Sequence, residues 1–540
     1  MTYGTKESGP VTTPAKRGAQ VAKDSFVISA FSALGVGSGL LVDVLVAARY
    51  GMGATTDALF IALTIPQLLA SILASATVPV MVPLFSKVRV EFGEEENWRV
   101  FSNLVNLTAI ILAMVAVIGI IGSPLLMLIS APGLDAASRD LAISLNRILF
   151  LIVTMAGLAE VMKAMLNSYH RFAIPAAALV VQYLAIAVAI PLLEGHYGVQ
   201  AVAVGYVLGS VVQVLLLAAS LAATGVRYYP LLDVTHPSVR QAGRLFGPLL
   251  AAEAMGQSSI WAERFLASFL PAGAVSALVY ARRVLRALTL AVVSSVSRAS
   301  LPHFSALAGS RDLTGLRRSV RFGIRLALAI CMPVAAWVII VRTPLVSLLY
   351  QRGAFDEKAV SATASLVLIY MLGLPFMALW QLVLTPFYAL EDTRTPLRIR
   401  AAALVLLIFL EVALAYVSGV YGLAVALSLS RVASALATHY LLRRRIGEFD
   451  QGLGRYALKL ILAAGFIAVV VVPPLMIIEH QLVLPRSLKA ILQLGLAGLL
   501  GPAAYGGSLV LLRVQEARQL LSLAKTGLLA RRPYPTNLDR

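Results

Sequence analysis

Residues 103–129 read NLVNLTAIILAMVAVIGIIGSPLLMLI, a run of 27 residues without one acidic or basic side chain. At 1.5 Å per residue a helix of that length reaches about 40 Å. That exceeds the hydrocarbon layer of a bilayer, roughly 30 Å, which about 20 apolar residues suffice to cross. Similar runs occupy 26–48, 58–85, 147–168, 173–193, 198–224, 245–270, 273–301, 322–349, 360–389, 399–418, 420–442, 456–478 and 487–513. The expected fold is therefore an all-α polytopic membrane protein of about 14 transmembrane helices. Composition agrees: 59% of the 540 residues are hydrophobic and 13% charged, against about 25% charged in a soluble domain. Two tails and thirteen short loops leave no room for a soluble catalytic domain. The first 25 residues are polar, and the stretch behind them is too long for the apolar core of a signal peptide, so the first span is expected as a retained anchor. The one cysteine, Cys331, falls within a span, which excludes an intramolecular disulfide.

Orientation follows from lysine and arginine, because cationic loops stay cytoplasmic. Placing the N-terminus inside puts 31 of the 45 lysines and arginines on that side and 8 on the other, with 6 inside spans. Both basic tails, 1–25 and 514–540, are then cytoplasmic. The net charge of +19 is mostly topology, and the runs Arg443 to Arg445 and Arg317, Arg318, Arg321 read as orientation signals rather than nucleic-acid contacts.

Sliding the chain by 219 residues places Ala58-Leu59-x-x-Ala62 over Ala277-Leu278-x-x-Ala281, Leu69 over Leu288, Ser75 over Ser294, and Pro83-x-Phe85-Ser86 over Pro302-x-Phe304-Ser305. Pro175 and Pro396, and Tyr197-Gly198 and Tyr421-Gly422, echo at nearly the same spacing. These echoes divide the chain into an N-lobe, 26–224, and a C-lobe, 225–445, of six helices each, with helices thirteen and fourteen in 446–513. An even helix number makes the repeats parallel. Two like-oriented lobes suit alternating access, in which one rocks against the other about a central site. No segment resembles the selectivity filter of a channel.

An ionisable group near mid-bilayer costs at least about 2.5–3.5 kcal/mol, so it marks function by default. Arg282, Arg283 and Arg286 lie in the eighth span at a depth of about 12–20 Å. On the helical wheel they share one sector with Ser276, Ser294 and Ser297. In the seventh span Glu253, Gln257, Trp261, Arg264 and Ser268 recur at helical spacing as one stripe. Guanidinium forks match phosphate oxygens, so the implied ligand is an anion, a phosphate or diphosphate group. A competing reading pairs Glu253 with one arginine as a buried structural bridge, but one carboxylate cannot neutralise four arginines. Asp43 in the first span suits either a coupling ion or proton or a local hydrogen bond. Glu160 with Lys163, and Glu411 with Arg431, read as ion pairs. The six histidines show no metal-ligand spacing and there is no phosphate-binding loop. No cofactor is expected, and the drive would be the membrane potential or an ion gradient.

Several segments carry a resemblance. Thr56-Asp57-Ala58-Leu59-Phe60 through Ile65-Pro66, Leu166-Asn167-Ser168-Tyr169 through Pro175, Ala267-Ser268 through Tyr280-Ala281-x-Arg283, Gln351-Arg352-Gly353-Ala354-Phe355, and Phe387-Tyr388-Ala389 through Pro396 are similar in order and spacing to the MviN/MurJ family, lipid II flippases of the multidrug/oligosaccharidyl-lipid/polysaccharide exporter superfamily. The resemblance covers about residues 26–445. It implies a transporter, not an enzyme, in the bacterial cytoplasmic (inner) membrane, moving an undecaprenyl-diphosphate-linked saccharide outward with its diphosphate in a cationic cavity. The last two helices would form a groove for the lipid tail. By the resemblance Arg283 matches an arginine that the family needs there, whereas Arg282 and Arg286 add cations where typical members have acidic or other residues; the polar stripe of the seventh span adds Arg264, Glu253 and Gln257 as further candidate substrate contacts. Asp43 and the signature's Asp57 are the coupling or gating candidates. The implied partners are the lipid-linked saccharide, membrane lipids and cell-envelope biosynthesis proteins. Family arginines of the first two helices fall on Val36, Val42 and Ala70, so positive charge is moved to the second lobe. Lipid II is the default substrate, an exopolysaccharide or O-antigen unit the alternative. A cation-coupled small-molecule exporter would want acids in its cleft, and a polyprenyl-phosphate enzyme would want a sizeable outer loop.

Overall fold

Apolar runs set where helices lie, and short polar side chains set where they start. The computed structural model describes residues 14–290 and 294–512, and every regular element among them is a helix. Residues 1–13 and 513–540, most of the two expected tails, lie outside the described residues. Aspartates open several helices by accepting backbone N–H groups that have no intrahelical partner: Asp135 from Ser138 at 3.1 Å, Asp312 from Gly315 at 2.8 Å and Asp356 from Ala359 at 2.8 Å. Asp392 binds Thr395 through both its backbone N–H and its hydroxyl. Hydrogen bonds hold both loop carboxyls, Asp135 and Asp392, below the usual carboxylate range, led by the Ser138 side chain for the first and the Thr395 backbone for the second.

The chain forms two compact units, Met1–Val275 and Ser276–Arg540. The first contains α1 (Pro14–Tyr50), α2 (Ala54–Phe92), α3 (Glu94–Ser130), α4 (Ala136–Leu149), α5 (Leu151–Ser168), α6 (Ala173–Tyr197), α7 (Gln200–Ala223) and α8 (Pro237–Ala267). Val80, Leu84, Phe85, Phe101, Leu104 and Met165 make a core joining α2, α3 and α5, with the rings of Phe85 and Phe101 edge to face at 6.0 Å. Small residues let membrane helices approach closely: a Cβ on Gly209 of α7 would meet the Gln182 carbonyl of α6 at 2.7 Å.

The second unit contains α9 (Ala274–Leu288, its first two residues on the other side of the division), α10 (Ser294–Gly309), α11 (Leu313–Tyr350), α12 (Glu357–Ala389), α13 (Arg394–Ile446), α14 (Leu453–Gln481) and α15 (Arg486–Leu511). Helix α13 is two spans joined at Gly419, whose φ of 57° breaks the helical path where the apolar runs divide. Only glycine takes that conformation readily. The hairpin α14–α15 packs on α11 through Val341, Ile467, Val471, Leu475 and Ala497. Trp337 donates to the Ala497 carbonyl at 2.9 Å, and Tyr505 to that of Ala329 at 2.9 Å.

Eleven described helical segments are long and apolar enough to cross a membrane. With α13 counted as two, they account for every expected span except the seventh and eighth. Those two are α8, which is rich in polar residues, and the stretch α9–α10, within which residues 291–293 lie outside the described residues. The eighth span, expected as one helix over 273–301, is described as α9, a π turn at 289–290 and, beyond the undescribed residues 291–293, α10. The side chains of Ser294 and Ser297, assigned to its polar sector, lie outside what the structure describes. The fourth span also begins earlier than expected, with α4 and α5 separated only at Phe150. The boundary between units falls at 275/276, whereas the repeat places it at 224/225. Helix α8 lies in the first unit because it packs on α2 and α3. The loop leading to it is tied to α3 as well: Asn103 exchanges two hydrogen bonds with Asp233, at 2.7 and 2.9 Å, and Asn106 donates to Leu231 at 2.8 Å.

Candidate functional site

The α8 stripe lies on one face, as its spacing predicts, and that face is engaged within the first unit. Trp261 Nε1 donates to Ser130 Oγ at 3.2 Å. Ser268 Oγ accepts the Gly133 N–H at 3.2 Å and donates to the Phe265 carbonyl at 2.7 Å. Arg264, half-buried, donates through one Nη to the Phe60 carbonyl and to Thr64 Oγ1 on α2, both at 2.5 Å. This anchoring fixes the Arg264 side chain against α2. Glu253 and Gln257, toward the middle of α8, are half-buried.

Glu263 was missed by the stripe criterion. It is 3% exposed and stands about 100° round α8 from Arg264, off the selected face. The signal that finds it is simpler: a carboxylate inside a span is costly wherever it points.

Asp57, 4% exposed on α2, accepts the Gly273 N–H at 2.6 Å. It thereby holds the turn Pro271-Ala272-Gly273 that leads into α9. Asp43 is buried on α1. Of the positions where the family's first-lobe arginines would stand, Val42 is buried, Ala70 half-buried and Val36 exposed.

In the second unit α9 is buried on every side from Ala274 to Ala281, Ser276 and Val279 of the arginine sector included, and becomes accessible only further along. Ala277, Leu278, Tyr280, Ala281, Val284 and Leu285 are buried. Arg282 and Arg283 are half-buried, and Arg286, between them on the wheel, is exposed. Tyr280 is locked in an aromatic triangle, 4.9 Å from Tyr350 and 5.4 Å from Phe355, which are 5.7 Å apart. Two segments that carry the resemblance, Tyr280-Ala281-x-Arg283 and Gln351 to Phe355, thus meet in space. Arg431 of α13 lies over the Trp380 ring at 4.8 Å, a cation–π contact, and within electrostatic reach of Arg282 and Arg400. Arg431, expected to pair with Glu411, is thus also near the Arg282 cation of α9. Glu160 and Lys163 do pair, at 2.7 Å. Among the described residues no group of histidine, cysteine or acidic side chains could hold a metal ion.

A family model described as lipid II flippase MurJ matches residues 46–492. The lipid II flippase MurJ of Burkholderia cenocepacia is 26% identical over 447 residues, 81% of this chain and 87% of that protein. The probable lipid II flippase MurJ of Vibrio cholerae is 27% identical over 422 residues, 76% and 80% of the two chains. Among solved structures, a lipid II flippase MurJ in an inward closed conformation aligns with a TM-score of 0.74 at 21% identity, over 92% of this chain and 100% of that one. An inward-facing multidrug resistance transporter of the MATE family aligns at 0.62 and 16% identity, over 78% and 96%. These two likenesses show the fold, while the family model spans most of the sequence: the chain belongs to the MurJ family of lipid II flippases.

Proposed function

We propose that this chain moves lipid II, an undecaprenyl-diphosphate-linked saccharide, from the inner to the outer leaflet by alternating access. The diphosphate would be met by the arginines of α9. The carrying observation is the cluster of cations in the second half of that helix: Arg282, Arg283 and Arg286 share one sector, opposite an apolar face buried as far as Leu285. Guanidinium forks bind phosphate oxygens bidentately, and three within one sector of a helix form a site for an anion with two phosphate groups. Arg283 is the central contact, with Arg282 and Arg286 beside it and Arg431 behind. Arg264, Glu253 and Gln257 contribute from α8, Arg264 held in place by its bonds to α2. Both termini are cytoplasmic in this reading, and the translocated group crosses unchanged.

The test uses a host depleted of its own lipid II flippase. This chain restores growth and outward appearance of lipid II; Arg283→Ala, at equal membrane level, lowers the rate at least about tenfold, the loss of one charge-assisted contact. Undiminished activity in that variant removes the anion site from α9. A second reading, an exopolysaccharide or O-antigen unit as substrate, rests on Val36, Val42 and Ala70 standing where the family has arginines. Failure on lipid II with transport of such a unit would select it.

A further inference from the structure

The C-terminal end of α11, the start of α12 and the hairpin ends of α14 and α15 enclose two adjoining cavities. Their volumes are about 410 and 430 Å³, and they share Ser347, Gln351 and Arg486. Each is of the size that holds a small ligand. The wall of the first is apolar, formed by Ile340, Pro344, Val472, Leu475 and Met476, and its mouth is charged by Glu357, Glu479, Arg486 and Lys489. Arg352 stands in the second.

Topology does not account for these cations. The distribution of lysine and arginine makes this the outer face, where the chain has only 8, and Arg352, Arg486 and Lys489 gather at one cleft. Nor is the mouth simply cationic. Arg486 pairs with Glu357 at 3.1 Å. Lys489 Nζ donates to the Glu479 carbonyl at 2.8 Å. Gln493, 7% exposed, donates to the Glu479 carboxylate at 3.1 Å and fixes it at the rim. A rim that carries both signs, with Glu479 held by Gln493 and the Arg486–Glu357 pair open to solvent, above an apolar wall is complementary to an amphiphile bearing both signs.

We propose that this cleft binds the zwitterionic headgroup of a phosphatidylethanolamine-type phospholipid of the outer leaflet. The phosphate lies toward Arg486 and Lys489, the ammonium toward Glu479 and Glu357, and the acyl chain runs along the wall made by α11 and α14. The Glu479 carboxylate held at the rim, with Glu357 beside it, disfavours a diphosphate or an anionic headgroup at the same place. The site is thus a binding place for a bilayer lipid, distinct from the arginines of α9. Its outward placement rests on the orientation proposed above, but binding itself does not.

The full chain is assembled in nanodiscs of equal parts palmitoyl-oleoyl phosphatidylethanolamine and phosphatidylglycerol, and retained lipids are counted by native mass spectrometry. Phosphatidylethanolamine is retained over phosphatidylglycerol. Arg486→Gln with Lys489→Gln lowers its retention about tenfold, and Glu479→Gln reverses the preference. Arg486→Lys keeps the charge and retains the lipid, which holds the test open if the double variant does not fold. Equal retention in wild type and Glu479→Gln, a wild-type preference for phosphatidylglycerol, or displacement by undecaprenyl phosphate each overturns the proposal.

Discussion

Asp57 is a buried carboxylate whose hydrogen bond explains its presence. Gly273 takes a φ of 97°, where glycine alone avoids a steric penalty, and its N–H points at Asp57. A charge-assisted bond in that setting contributes about 1.5–3 kcal/mol. Asp57→Ala should therefore destabilise the protein by about 2 kcal/mol in denaturant titrations, with Asp57→Asn, which keeps an acceptor, losing less. Identical unfolding of both variants and the wild type would show the turn to be held by other means. The signature residue was legible in the sequence, and its partner 216 positions away was not. Arg264 repeats the lesson: its place inside a span marked it, while its bonds to Phe60 and Thr64 depend on how α8 meets α2. Periodicity reports the face a residue occupies and is silent on what that face touches. Glu263, off the stripe, escaped notice for that reason.

At the scale of elements, long apolar runs announced most helices, and Gly419 divided the eleventh span from the twelfth where the runs themselves part. The polar helices α8, α9 and α10 were harder to bound, because hydropathy does not hold them in place. Helix α9, Ala274–Leu288, carries three arginines in its second half, so apolar length alone does not set its place. Its position depends on the buried face and on Tyr280 in its triangle with Tyr350 and Phe355. Tyr280→Ala should cost about 3–5 kcal/mol, the usual loss for a buried aromatic ring, and should slow transport by displacing Arg282 and Arg283. Tyr280→Phe keeps the rings and should retain most stability and activity. Measuring both variants for thermal midpoint and lipid II translocation separates the two effects. A Tyr280→Ala protein with wild-type transport would show that α9 is positioned independently of the triangle. The division at 275/276 was not legible either: α8 follows the repeat in sequence but is bonded to the first unit by side chains that no repeat displays.

For the molecule as a whole, the separation of charge bears on energetics. In the orientation proposed above, lysine and arginine fall 31 to 8 across the membrane, and that orientation gives the direction of the field relative to the chain. A bacterial membrane is negative inside, and an anion leaving the cytoplasm moves down that potential. Each charge crossing the full field gains about 2.3 kcal/mol per 100 mV, so a diphosphate of two charges gains about 4–5 kcal/mol at that voltage. Arginines of α9 that travelled with the substrate would cancel part of this, leaving a smaller voltage dependence than the free anion has. In proteoliposomes with a potassium diffusion potential set by valinomycin, outward movement of lipid II should quicken as the cytoplasmic side becomes more negative and slow when the potential is reversed. It should persist without a sodium or pH gradient. A rate indifferent to voltage but abolished by removing one of those gradients would assign the drive to a coupled ion instead. Asp43, buried on α1, would then be the first side chain to neutralise.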